Sequence, residues 1–420
     1  MNGRTNGNSG AIIISGLVLP SGARWKLAGL LCAITTINYL DRQAFAVAGP
    51  SIVDEFQLSN TEFGAITSAF LFCYGVGHLV VGPVIDRIGT RRAFNLAVVA
   101  WSIAGILHAF GRGFWSFLGF RSVLGLFEAA NFPAAVKGIA EWFPRNERSM
   151  AVGILTVGPG LGALLAPPLL GGLILYAGWQ WAFIVPGLAG FAWLWFWRRL
   201  APASVQAEGV VQPSSYRVQA LMRRREVWGL LLSRVMNDGA FYFFVAWLPL
   251  YLAQARGFDL LQIAAFAWIP FLASDVGALA GGWAGRHLLQ RGFSLDASRK
   301  SLIWGGALLV LASLPAGTSE SPAVALALIA LAMFAIQAKA SSLFSLPADL
   351  FPSVRVGTVW GLFGAAGSFG AAAFSLAAGW ISQNYAYEPV FWAVAITQLL
   401  SAAVISWFVP EIRNLDGKEA

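Results

Sequence analysis

The chain holds 420 residues, 57% of them hydrophobic and only 11% charged, where an ordinary soluble domain carries about 25% charge. This composition excludes a soluble globular enzyme and points to a polytopic membrane protein, so the formal charge of +8 speaks of membrane sidedness and not of nucleic acid. Cys32 and Cys73 lie within apolar runs, and His78, His108 and His287 show no ligand spacing, so no disulfide, metal site or cofactor is expected.

Residues 1–24 read as a cytoplasmic tail. A polar start is followed by an apolar patch over 11–19 that is too short to span a bilayer and has too little positive charge before it for a cleaved leader. The first membrane helix covers 25–49 and carries Asp41-Arg42 near its middle, where ionisable groups are costly and mark a substrate or ion pathway. Ser59 and Glu62 have the S-x-x-E form of a capping box and open the second helix, which runs to residue 84. Hydrophobic runs and their breaks predict helices near 92–111, 115–140, 149–176 and 180–198, completing a first half over 25–198. The polar segment 199–226, with Arg217 and Arg223-Arg224-Arg225, reads as a central cytoplasmic loop. Six more runs, near 227–253, 260–285, 300–316, 322–347, 354–382 and 388–409, form a second half over 227–409; Asp259 and Gln262 cap the second of them. Residues 410–420 are the closing tail.

With the amino terminus inside, 21 of the 28 lysines and arginines fall on cytoplasmic tails and loops, and only Arg112 and Arg256 fall on the other side. This asymmetry puts both termini in the cytoplasm of a multi-pass protein of the cell (inner) membrane. The run Gly82-Pro83-Val84-Ile85-Asp86-Arg87-Ile88-Gly89-Thr90-Arg91-Arg92 is echoed 200 residues on by Gly282-Trp283-Ala284-Gly285-Arg286. Phe143-Pro144 with Arg148 is echoed 208 residues on by Phe351-Pro352 with Arg355. Two parallel six-helix halves holding a substrate near the midplane are the plan of a rocking transporter. The expected fold is therefore all-α, with twelve transmembrane helices in two pseudo-symmetric halves.

Asn38, Asp41 and Arg42 fall on neighbouring faces of the first helix, so a cavity wall there would carry an amide, a carboxylate and a guanidinium. Arginine grips a carboxylate through two parallel hydrogen bonds. Glu128 lies midway along the fourth helix, with Arg121 two turns earlier and Asn131 just after it. A carboxylate held between desolvation and a neighbouring arginine suits the loading and unloading of a proton. On the tenth helix Gln337, Lys339 and Ser341 stand out, and Lys339 lies about 16 Å from the cytoplasmic end by helix rise. Lys339 reads as a second anion ligand facing the cavity, with a structural pairing to Asp275 or Asp238 as the competing reading. Arg234 and Asp238 read as a structural salt bridge on the seventh helix, and Asp275 has no assigned role. Trp193, Trp195 and Trp197, beside Arg198-Arg199, read as an interfacial aromatic belt.

The G-x-x-x-D-R-x-G-x-R-R loop after the second helix resembles the signature loop of the major facilitator superfamily, and the twelve-helix plan covers the whole chain. Ile37-Asn38-Tyr39-Leu40-Asp41-Arg42, Gly125-Leu126-Phe127-Glu128-Ala129 with Phe132-Pro133, and Glu141-Trp142-Phe143-Pro144 with Glu147-Arg148 resemble the anion:cation symporter family of sugar-acid and organic-anion carriers. The stretch 241–252 and Arg291-Gly292-Phe293, followed by Ala297-Ser298-Arg299-Lys300, resemble its hexuronate (glucuronate/galacturonate) branch. The resemblance implies proton coupling at Asp41 and Glu128, substrate-carboxylate recognition by Arg42, a sugar-hydroxyl contact at Tyr74, and gating by Asp86, Arg87 and Arg91. Asn38, Asn131, Gln337, Lys339 and Ser341 complete the candidate substrate set. Ile336 and Lys339 stand where the branch carries a histidine and an aromatic, which leaves a different or doubly charged anion open.

The expected function is a proton-coupled secondary transporter that imports a hexuronate-like sugar acid or related organic anion by alternating access. An exporter of drugs or metabolites with the same fold is one alternative, and a symporter for another carboxylate such as tartrate or an aromatic acid is another. The guanidinium favours the first reading, since exporters of lipophilic compounds need no such clamp. No G-x-x-x-x-G-K-[ST] loop, metal cluster or nucleophile motif supports an enzyme. The expected partners are the anion, protons and the lipid bilayer, without nucleic acid, for a monomer.

Overall fold

The computed structural model describes residues 12–14, 17–19, 21–202, 218–351 and 353–413. Ile12–Ile14 and Leu17–Leu19 pair as a short antiparallel hairpin, within a segment the sequence marks only as tail. Most of the central loop, Arg217 included, Pro352 and most of the closing tail lie outside the described residues.

Twelve membrane-length helices follow among the described residues. The first half holds α1 (Ser21–Phe56), α2 (Asn60–Ile88), α3 (Thr90–Phe110), α4 (Phe114–Trp142), α5 (Arg145–Ala177) and α6 (Trp181–Leu200). The second holds α7 (Arg225–Arg256), α8 (Leu260–Gln290), α9 (Leu295–Gly317), α10 (Pro322–Leu350), α11 (Ser353–Tyr385) and α12 (Glu388–Phe408). Nine are apolar and long enough to cross a bilayer. The other three, α1, α6 and α7, carry Asp41-Arg42, Arg198-Arg199 and the Arg234 and Asp238 pair.

Both capping boxes form. Ser59 N–H donates to Glu62 Oε2 at 2.9 Å and Glu62 N–H to Ser59 Oγ at 3.2 Å; Gln262 N–H donates to Asp259 Oδ1 at 2.7 Å and Asp259 N–H to Gln262 Oε1 at 3.0 Å. Five predicted helices prove to be irregular. α3 tightens to a 3-10 turn at His108–Phe110 without a proline; the α-helix breaks after Glu128 in α4, after Phe266 in α8 and after Leu343 in α10, and α9 tightens to a 3-10 helix from Leu311. Pro133, Pro270, Pro347 and Pro315 each lie one turn further on, where proline removes a donor and its ring crowds the carbonyl four residues back. Pro50 and Pro249, by contrast, are carried inside unbroken helices.

The core is shared at one end and split at the other. Around the start of α2 a single apolar cluster joins Phe45 and Phe63 of the first half to Trp247, Phe243 and Phe391 of the second. Toward the opposite end the core divides into a first-half cluster around Trp101, Trp142 and Trp197, reached from the second half by Ala371, Ala372 and Tyr242, and a second-half cluster around Leu350, Phe351 and Phe363. Glycines make the shared end possible. A methyl on Gly64 of α2 would lie 2.7 Å from Ser375 O of α11, and one on Gly379 would lie 2.6 Å from Asn60 O. Near the parted end, methyls on Gly357, Gly361 and Gly364 would meet nothing within 4 Å.

Of the three tryptophans near the end of α6, Trp193 and Trp197 are core residues and not an interfacial belt. Trp193 and Trp197 are 4% and 0% exposed, stack at 5.0 Å between centroids, and face α3 together because four residues make about one turn. Trp193 Nε1–H donates to Leu30 O at 2.7 Å. Trp195, the third, points outward, with Arg199 over its ring at 3.7 Å.

Backbone contact also holds the second half together, since a side chain on Gly277 of α8 would strike Phe334 O of α10. Gly277→Val should therefore lower the melting temperature of the detergent-purified protein, by overpacking of about 1–3 kcal/mol. Gly361→Ala, placed in open space, should leave melting unchanged; equal melting of both variants would refute this account.

Candidate functional site

The break in α4 ends its first segment at Glu128 and starts the second at Asn131. Gly125, one turn before Glu128, lets α4 lie directly on the α2 backbone at Phe70 O. The Glu128 carboxylate, 0% exposed, thereby reaches Arg42 of α1, whose Nε and Nη2 both donate to Glu128 Oε2 at 3.3 Å. These bonds are long beside the 2.7–2.9 Å typical of charge-assisted pairs. The guanidinium is framed by Tyr39 at 4.6 Å, Tyr74 at 4.4 Å and Phe70 at 5.4 Å, so cation–π attraction supplements the ion pair. Arg121, also of α4, donates from Nη2 to the backbone O of Arg42 at 3.1 Å and sits over Phe45 at 4.7 Å.

Arg42 is also where this buried cluster meets open space. A cavity of about 120 Å³ between the halves is lined by Tyr39, Arg42 and Gln43 from one side and by Tyr242, Asp275 and Gln337 from the other. Asp41 takes no part in that wall. Successive helix positions differ by about 100°, and Asp41 faces α3, where a methyl on Gly105 would lie 3.3 Å from its Oδ1. Both its carboxylate oxygens, together with Nε and Nη1 of Arg121, are buried without a hydrogen-bond partner. Unsatisfied charged groups at this depth are expensive and concentrate where function requires them.

The remaining candidates separate into groups. Asn38 and Asn131 are buried inside the first half, Asn131 donating to Thr35 Oγ1 at 3.3 Å. Tyr74 stacks near Phe70 and places His78 beneath it, with centroids 4.4 Å apart. Gln337 lines the cavity, but Ser341 turns toward α8, where a methyl on Gly281 would touch its Oγ, and donates to Ala338 O at 2.7 Å. Lys339 does not face the cavity either. Its Nζ donates to Gln398 Oε1 at 2.8 Å and to Gln398 O at 3.2 Å, it is 0% exposed, and its Cβ packs on Gly306 of α9. The reason is helical geometry: Gln337 and Lys339 are about 200° apart around α10, so only one of them can front the substrate. Neither of the partners weighed for Lys339, Asp275 or Asp238, bonds to it directly; the amide of Gln398 does so, and Gln398 in turn donates to Asn237 O at 3.2 Å.

Arg234 and Asp238 do form the expected salt bridge, at 2.7 Å, with Arg234 over Phe344 at 3.8 Å. The expected loop after α2 shrinks to Gly89: Asp86, on the last turn of α2, pairs with Lys137 of α4 at 2.6 Å, Arg91, on the first turn of α3, donates to Arg198 O at 2.6 Å, and Arg87 is exposed. Those partners belong to the same half. Tyr39, Gln43, Tyr242 and Asp275 are cavity residues that the sequence reading did not select. Tyr39 was within reach of helical spacing, one turn before Arg42 on the same face, and Asp275 was within reach as a carboxylate inside an apolar helix; Tyr242 carries no comparable signal.

The family model described as Major Facilitator Superfamily matches residues 31–295. The chain is 34% identical over 409 residues to the hexuronate transporter of Escherichia coli (strain K12), covering 92% of this chain and 94% of that one. It is 30% identical over 421 residues to the D-galactonate transporter of Escherichia coli O6:H1, covering 94% and 98%. Among solved structures, the bacterial homolog of the human lysosomal transporter Spinster, in its inward-facing and occupied conformation, superposes with a TM-score of 0.81 at 18% identity, covering 93% of this chain and 98% of that one.

Because Lys339 is bound into the second half, Lys339→Met should leave Gln398 Oε1 buried and unpartnered, a loss of about 1–3 kcal/mol. A lowered melting temperature with an unchanged binding constant for anions is the expected result. A shifted binding constant at unchanged melting would place Lys339 at the substrate instead.

Proposed function

The chain belongs to the Major Facilitator Superfamily, and on that premise we propose that it imports a hexuronate-like sugar acid together with protons. The observation that carries the reading is the double duty of Arg42, at once the cation on the cavity wall and the hydrogen-bond partner of the buried Glu128. A substrate carboxylate entering the cavity competes for that guanidinium. When Arg42 turns to the substrate, Glu128 loses its compensating charge in an apolar interior and takes up a proton. When the proton leaves, Arg42 returns to Glu128 and the substrate is released. Asp41 and Arg121, beside the pair, are a second place where charge is held without full compensation, and Tyr39, Tyr74, Gln43 and Gln337 offer hydrogen bonds to sugar hydroxyls. Asn131 ties α4 to α1 behind the site through Thr35, and Asn38, buried in α1, keeps its Nδ2 without a partner among the described residues.

The halves, 25–198 and 227–409, rock about this site, joined through 199–226. By the basic-residue asymmetry both termini and the parted end face the cytoplasm, and the shared core closes the outer side of the cell, or inner, membrane. Asp86, Arg87 and Arg91 stand at the parted end as its gate. The relatives named as sugar-acid transporters support this substrate class.

Uptake of labelled glucuronate, galacturonate, galactonate and tartrate into proteoliposomes, with and without an inward proton gradient, tests substrate and coupling together. Glu128→Gln mimics the protonated carboxyl and should keep exchange while abolishing gradient-driven accumulation; full concentrative uptake by that variant would remove Glu128 from the coupling mechanism.

Arg42→Lys keeps the charge but loses the planar fork. Affinity for the sugar acid should fall about tenfold to a hundredfold, the equivalent of a charge-assisted hydrogen bond of about 1.5–3 kcal/mol. Unaltered affinity would assign the clamp to Arg121.

A further inference from the structure

Among the described residues, Asp275 is the carboxylate that meets the cavity without a partner; Asp41, also unpartnered, faces α3 instead. Glu128 is bonded to Arg42 and Asp238 to Arg234, whereas Asp275, half-buried midway along α8, has no ion pair or hydrogen bond among the described residues and lines the cavity between the halves. Its seat is shaped by the opposite half. A methyl on Gly160 of α5 would lie 2.8 Å from Asp275 Oδ2 and 3.3 Å from Oδ1, so any other residue there would push the carboxylate off the α5 surface. Among the residues lining that cavity, Arg42 and Asp275 are the charged ones, one from each half. The cation that would have welcomed a second negative group, Lys339, is fully buried and bonded to Gln398.

We propose that Asp275 is a specificity-determining residue that admits sugar acids with one carboxylate and refuses those with two. This rests on the transport reading above and narrows its substrate class. A six-carbon monoacid places its carboxylate at Arg42 and directs hydroxyls toward the facing wall. An ionised carboxylate only accepts hydrogen bonds and hydroxyls donate them, so Asp275 receives the polyol end, beside the Gln337 amide. A diacid of the same length brings a second carboxylate toward Asp275 in a confined space with no second cation to offset it. Like charges set against each other across an interface suppress wrong partners, and at separations of about 5 Å near a protein interior the repulsion disfavours the diacid roughly 10- to 100-fold.

The test is competition in proteoliposomes holding the full-length protein: uptake of labelled galactonate, inhibited by unlabelled galactonate or by galactarate, its dicarboxylate counterpart. The parent should prefer galactonate by about 10- to 100-fold. Asp275→Asn should bring that ratio to within about threefold by admitting galactarate, and Asp275→Glu, which restores the charge, should keep the discrimination. Saturable galactonate binding by each variant certifies its fold. Equal inhibition by the two acids in the parent, or an unchanged preference in Asp275→Asn, overturns the inference while leaving sugar-acid transport standing. An unchanged preference accompanied by loss of gradient-driven accumulation also overturns it, and makes Asp275 a proton carrier. Silence of the parent toward every sugar acid overturns the transport reading, and this inference with it.

Discussion

Arg42 and Glu128 meet in an apolar interior where either charge alone would be strongly destabilising, since removing one partner of a buried pair leaves the other uncompensated. Much of the first half serves that meeting. Pro133 ends the first segment of α4 at Glu128, Gly125 brings α4 down onto α2, and the rings of Tyr39, Phe70 and Tyr74 frame the guanidinium. Arg121 braces the backbone behind it. The bonds between the two charges are long and converge on one carboxylate oxygen, so the pair is held in place without being closed off from exchange.

The second half answers with chemistry of another kind. Its buried ion pair, Arg234 and Asp238, is packed against Phe344 and Phe363, and its buried Lys339 is bonded to an amide. What it presents to the cavity is chiefly an acceptor and an amide, Asp275 and Gln337, with the hydroxyl of Tyr242. The two halves are alike in helix plan and unlike in charge, and that inequality gives the space between them a direction.

Much of the fold was legible because it rests on long-range regularities: apolar runs, two capping boxes and a loop repeated at an offset of 200 residues. The breaks in α4, α8 and α10 were less so, since Pro50 and Pro249 lie inside intact helices and proline by itself does not announce which outcome follows. Within the candidate site, the sequence singled out Arg42 and Gln337, which line the cavity, and Glu128, which pairs with Arg42, but not which way their neighbours face. Arg42 and Asp41 are neighbours in sequence and look at different helices; Gln337 and Lys339 are two apart and look in nearly opposite directions. Which face of a buried helix meets a cavity depends on packing partners such as Gly105 and Gly306, and a sequence pattern that is apolar on every side carries no moment to reveal it. Trp193 and Trp197 illustrate the same point, since their tight spacing near basic residues suits an interface but their shared face is core.

The bond between Lys339 and Gln398 bears on how the chain is assembled. Its partners are 59 residues apart, so during synthesis α10 must enter the membrane well before α12 exists. For that interval the ammonium has no amide to hold it, at a cost of about 2.5–3.5 kcal/mol at a helix centre. α10 is the most apolar of the nine bilayer-length helices, and the surplus of leucine, isoleucine and alanine around the lysine offsets the deficit until the last helix arrives. Biogenesis of the second half thus ends with a polar lock that its final helix closes, and a nascent chain stopped before Gln398 would carry a lysine that its own translocation has left stranded.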